Sequence, residues 1–153
     1  MRIIAIIVVS SLFGGCSSSP TKYPNQLDKN VTINLKIDDE GGLFSSVKVV
    51  AGVNNLDKQC EPHYKGMLKL EQGENQLGLA PGIQTFLQVD VAHKRPGQSS
   101  IDSRGTLITP VKGKKYRIDI NYVDDMYDFR LFELSGSKKK SMTLVPISNC
   151  RKG

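Results

Sequence analysis

The chain has 153 residues and a formal net charge of +6, one domain's worth of sequence. Hydrophobic residues make up 39% and charged residues 24%, a globular composition that excludes wholesale disorder. Trp is absent, His occurs twice, and the three cysteines at 16, 60 and 150 form no C-x-x-C pair, which excludes His-rich metal centres, zinc ribbons and thioredoxin-like redox motifs.

Residues 1–15 read MRIIAIIVVSSLFGG. Arg2 precedes an apolar run from position 3 to position 9, far short of the roughly 20 apolar residues of a spanning helix. A charged start, an apolar centre and a small-residue exit are the order of a secretory signal. The exit, Leu12-Phe13-Gly14-Gly15-Cys16 followed by three serines, resembles the bacterial lipoprotein lipobox. The resemblance covers the first 16 residues. Phe13 departs from the more usual Leu, and it also argues against ordinary signal peptidase, which requires a small residue there.

The resemblance implies a signal peptide over 1–15 and a Cys16 that is acylated, carries palmitate and becomes the mature N-terminus. One acyl chain holds a protein marginally and several hold it stably; lipoproteins of this class carry three. Ser17, in place of Asp, implies export to the outer membrane with the domain facing the periplasm. Residues 16–30 follow as acylated cysteine and flexible tether. SSSPTKYPNQLDKN has two prolines and no apolar periodicity, and its reach is roughly 20 Å.

From Val31 the apolar period is two. Val31, Ile33, Leu35 and Ile37 alternate with Thr32, Asn34, Lys36 and Asp38. Val47 and Val49 resume the pattern after Gly41-Gly42. Residues 64–70 and 77–79 are shorter strand candidates, separated by Gln72-Gly73-Glu74-Asn75. Ile83, Thr85, Leu87, Val89 and Val91 form one apolar face. Residues 100–109 read as a more polar edge strand. Tyr116, Ile118, Ile120 and Tyr122 make the cleanest amphipathic strand, and 127–134 and 142–147 complete the set. Asn54-Asn55, Pro81-Gly82, Pro96-Gly97, Val111-Lys112-Gly113 and Ser135-Gly136 supply turn chemistry. Strands at 8–15-residue spacing predict an all-β fold: a single antiparallel β-sandwich of about eight or nine strands over 31–153, with no substantial helix after the signal peptide. Leu77-x-Leu79-x-Pro81-Gly82 and Leu107-x-x-Pro110-x-x-Gly113 resemble the turn-and-strand grammar of transthyretin-like and immunoglobulin-like sandwiches in periplasmic lipoproteins.

In an oxidising periplasm the two remaining cysteines, Cys60 and Cys150, form one disulfide. Strict up-and-down alternation of the strands conflicts with this, because it sends the two cysteines to opposite ends of the sandwich.

Motifs for catalysis are missing: no G-x-S-x-G elbow, H-E-x-x-H, P-loop or G-x-G-x-x-G occurs. His63 reads as a surface-loop residue and His93 as a strand end, neither beside a nucleophile. Asp38-Asp39-Glu40 and Asp124-Asp125 with Asp128 lack the alternating spacing of a calcium loop. The expectation is therefore a chain without enzyme activity, cofactor or metal. Basic residues gather at Lys112, Lys114 and Lys115 and at Lys138, Lys139 and Lys140. If the segment after Asp124-Asp125 returns antiparallel, all six share one end of the domain, where their mutual repulsion works against stability.

Such an end is a candidate binding surface for an acidic partner. The periplasmic address argues against nucleic acid. The expected function is an outer-membrane-anchored, non-catalytic binding or accessory module. Its partners are the membrane, through the anchor, and another envelope or secreted protein. The alternatives are an immunity lipoprotein against a periplasmic toxin such as a phospholipase effector, and a module for lipid, glycan or a small ligand.

Overall fold

The computed structural model describes residues 20–38, 46–123 and 126–151. The signal peptide, Cys16, the three serines after it, Asp39, Glu40, the Gly41-Gly42 pair, Asp124, Asp125 and Lys152 lie outside the described residues.

The described residues form nine strands: β1 (Val31–Asp38), β2 (Ser46–Leu56), β3 (Pro62–Leu70), β4 (Gly73–Leu77), β5 (Thr85–Arg95), β6 (Gln98–Ile108), β7 (Lys115–Val123), β8 (Met126–Ser135) and β9 (Lys138–Met142). They form two sheets, ordered β4-β1-β7-β8-β9 and β3-β2-β5-β6. The all-β sandwich stands. Alternate side chains of the two sheets meet in one core, which includes Ile33, Leu35, Ile118, Ile120, Val53, Leu87 and Val89. A single row, Ile33 beside Ile118 beside Leu131, crosses three adjacent strands.

One pair departs from antiparallel order. β1 and β7 run parallel, with Val31 opposite Tyr116 and Asp38 opposite Val123. Both strands start at the same end of the sandwich, so the chain enters β1 in the direction in which it later enters β7. That end also gathers the β2–β3, β4–β5, β6–β7 and β8–β9 connections, and we term it the disulfide end.

Three expectations are corrected. Asn54-Asn55 is not a turn; both residues lie inside β2 and pair without a break to Phe86 and Thr85 of β5, while the bulge opposite them is on β3, where Lys65 is left unpaired between Tyr64 and Gly66. The last strand is Lys138–Met142 and not 142–147, because the turn at 136–137 is only two residues long and pairing begins immediately. After β9 the chain leaves the sheet, forms a short 3-10 turn (Ile147–Asn149) and returns to the disulfide end. The tether is shorter than 16–30, because the chain is docked from Thr21 onward. Met67 donates its N–H to Thr21 O (2.9 Å) and accepts the N–H of Tyr23 (2.8 Å), which lays this segment along the outer edge of β3. Tyr23 is buried and its hydroxyl donates to Gly78 O at 2.8 Å. Two glycines make the docking possible. A Cβ on Gly66 would lie 2.6 Å from Tyr23 N, and one on Gly78 would lie 2.4 Å from Leu27 O.

The return of the C-terminal segment removes the cysteine conflict. Leu107 donates its N–H to Val145 O at 2.7 Å, which carries residues 143–149 across the end of β6. Cys150 then meets Cys60 in the β2–β3 connection, with Cα atoms 5.9 Å apart, and the disulfide is formed.

Candidate binding surface at the disulfide end

Two tight turns build this end. Ala80-Pro81-Gly82-Ile83 closes through Ile83 N–H to Ala80 O, with Pro at the second position and Gly82 at φ +78°. Val111-Lys112-Gly113-Lys114 closes through Lys114 N–H to Val111 O, with Gly113 at φ +79°. Both match the type II turn, whose third position demands positive φ and therefore favours Gly. Gly82 N–H donates to Pro110 O at 2.8 Å and ties the first turn to the approach of the second. Lys112 sits at the tip of the second turn. A cleft of about 220 Å³ lies beside it, lined by Asp28, Asn30, Pro81, Lys112, Lys114 and Lys115. Lys115 Nζ donates to the carbonyl of Lys29, which holds the incoming segment against the cleft.

Strand register places the second lysine group beside the first. Lys115 is opposite Leu134, which is opposite Lys139. Lys138 and Lys140 flank it, opposite Ser135 and Glu133. The three lysines belong to strand β9 and not to the turn before it. The structure thus brings all six lysines to one end. Asp128, near the start of β8, lies toward the other, where Arg130 donates to it at 2.7 Å and holds its carboxyl below the usual range.

Repulsion among the lysines is lower than the sequence implied, because two of them face carboxylates. Lys114 Nζ lies 2.7 Å from Glu133, and their hydrogen bond raises the lysine and lowers the glutamate. Lys139 lies 3.5 Å from Asp119 and 5.5 Å from the centre of the Phe132 ring. Asp119 also accepts from Arg117 at 2.6 Å, and Arg117 reaches Glu74 at 2.8 Å. Among the described residues, Lys112, Lys138 and Lys140 face no carboxylate within 4 Å. The end is positive but partly compensated.

The histidines fall elsewhere. His63 lies in β3, not in a loop, and its Nε2 is 3.0 Å from Asp57 Oδ2. Asp57 Oδ1 also accepts the N–H groups of Gln59 and Glu61, each at 2.9 Å. These bonds, the histidine's foremost, hold the Asp57 carboxyl below its usual range. They shape the connection that presents Cys60 at φ +68°, a structural task for the His–Asp pair.

His93 lies within β5 and is buried, its Nδ1 3.3 Å from the Tyr122 hydroxyl. Its inward aspect was legible, since Val89, Val91 and His93 share one face of the strand. A polar cleft of about 80 Å³ adjoins it, lined by His93, Arg95, Gln98, Ser100, Asp102 and Tyr122. A wider cleft of about 400 Å³ lies on the outer side of β2, β5 and β6, lined in part by Lys48, Ala92, Lys94 and Ile101. Sequence reasoning missed both, because each is made by residues of different strands.

Among the described residues no group of three or more His, Cys, Asp or Glu is placed to hold a metal ion, and no helix is long and apolar enough to cross a membrane. Comparison of the chain with protein-family models, with curated proteins and with solved structures finds no match.

Proposed function

We propose that this chain is a lipoprotein of the outer membrane, anchored through an acylated Cys16, and that its sandwich is a non-catalytic protein-binding module in the periplasm. The carrying observation is the gathering of two sequence-distant lysine groups on one end, beside a shallow cleft. A positive end of this kind attracts an acidic partner surface, speeds encounter and does so less at high salt. The partner class is an envelope or secreted protein, whether a secretion-system component or a toxin that the chain neutralises. The wider cleft with Lys48, Lys94 and Ile101 supports a second reading, a site for a small anionic amphiphile.

Two experiments separate these proposals. Cys16→Ser abolishes acylation and leaves an unprocessed or mislocalised precursor; normal processing with equal membrane retention refutes the anchor. Changing all six lysines to serine removes the partner cross-linked to the wild-type chain in the envelope. It also slows association with that partner at low salt by about tenfold or more. An unchanged rate leaves the lysines as solubilising groups.

A further inference from the structure

The four sheet edges are not treated alike. β3 is covered by residues 21–23 through two main-chain hydrogen bonds. β4 is only five residues long, and Asn25 Nδ2 donates to Gln76 O on it. β9 is also five residues long and carries three consecutive lysines, a device that discourages further pairing. β6 is eleven residues long and pairs with β5 over its whole length on one side. Among the described residues, the C-terminal segment hydrogen-bonds to its other side at Thr106 and Leu107, near the end of the strand. All seven residues from 98 to 104 are exposed, and Ile101 is 69% exposed. A long, exposed edge is a template for another strand.

We propose that two copies of this chain pair through their β6 edges, antiparallel about a two-fold axis at Ser103, and join two four-stranded sheets into one of eight strands. The side-chain order selects both the occupant and the register. With the axis at Ser103, Asp102 of each copy lies opposite Arg104 of the other, on the same face. An axis at residue 102 would set Asp against Asp, and one at 104 would set Arg against Arg. Directly opposed unlike charges stabilise an antiparallel pair and like charges oppose it. The opposite face agrees. In the same register Ile101 lies opposite Gly105 of the other copy. Phe86 covers Gly105, since a Cβ there would lie 2.6 Å from the ring's Cζ. The exposed Ile101 therefore gains an aromatic surface. Arg104 already lies on its required face, 5.9 Å from the centre of the Tyr127 ring.

One strand pair is a small interface, at the weak end of specific association, so covalent capture is the suitable readout. Ser103→Cys in the full chain, under mild oxidation in the envelope, yields a disulfide-linked dimer, because the axis brings the two introduced thiols face to face. Ile101→Cys does not, since its copies stand four residues apart along the strands, roughly 14 Å. Adding Asp102→Arg to Ser103→Cys lowers the dimer yield severalfold, and adding Arg104→Asp as well restores it. Three outcomes overturn the proposal. The first is an Ser103→Cys chain that stays monomeric or links to a different protein. The second is equal cross-linking at 101 and 103. The third is a charge swap that fails to restore the yield lost with Asp102→Arg.

Discussion

Replacing Cys60 and Cys150 together by serine lowers the unfolding free energy by up to about 4.6 kcal/mol. The bridge spans a sequence separation of 90, and closing a loop of that length in the unfolded chain has this entropic value. Native bridges in small exported domains typically contribute about 2–5 kcal/mol, and whole domains are stable by only about 5–15 kcal/mol. The variant is therefore marginal. Urea unfolding measures the loss, and adding reductant to the wild-type chain must reproduce it. The effect has a local part as well. The bridge holds the 143–150 segment over Thr106 and Leu107, so its removal lengthens the uncovered edge of β6. A loss below about 1 kcal/mol would mean that the contacts of Val145 hold the segment without the bridge.

Ile118→Ala costs about 2–5 kcal/mol, whereas Ile118→Val costs about 0.5–1.5 kcal/mol. Ile118 is fully buried in β7, the central strand of its sheet, between Ile33 on one side and Leu131 on the other. Close-packed strands on both sides leave the site little freedom to collapse, so the lost methyl groups become a cavity. The urea midpoint falls while the slope of the transition stays constant, since the surface exposed on unfolding hardly changes. Thr32→Ala, on the partly exposed opposite face of neighbouring β1, stays within about 0.5 kcal/mol. Equal losses at Thr32 and Ile118 would refute the assignment of the faces.

The strands were legible where one face is dry and the other wet. Residues 31–37, 85–91 and 116–122 announce themselves because burial selects every second side chain. Residues 138–142 do not, because an edge strand of lysines buries nothing and its pairing rests on the main chain alone. Asn54-Asn55 misled for a different reason. Both asparagines are held in the ladder by pairing on two sides, with Phe86 and Thr85 of β5 and with Tyr64 and His63 of β3, and that pairing overrides their turn preference. At the candidate surface, the meeting of Lys112, Lys114 and Lys115 with Lys138, Lys139 and Lys140 was legible from strand order, since short turns between antiparallel strands return the chain to the same end. Glu133 and Asp119 were not legible as their partners, because register, and not sequence distance, sets a carboxylate beside a lysine.

Alternation, turn chemistry and cysteine count by themselves determined an all-β sandwich, turns at Pro81-Gly82 and Val111-Lys112-Gly113, and a pair of thiols available to one bridge. These are local or compositional properties, decided by which backbone angles and which burial each residue tolerates. Only the tertiary structure decided the parallel pairing of β1 with β7, the docking of residues 21–30 against β3 and β4, and the return of the C-terminal segment that brings Cys150 to Cys60. Each of those joins segments far apart in the chain. Their contacts are set by which edges remain open once the two sheets have packed, a condition that no single segment carries.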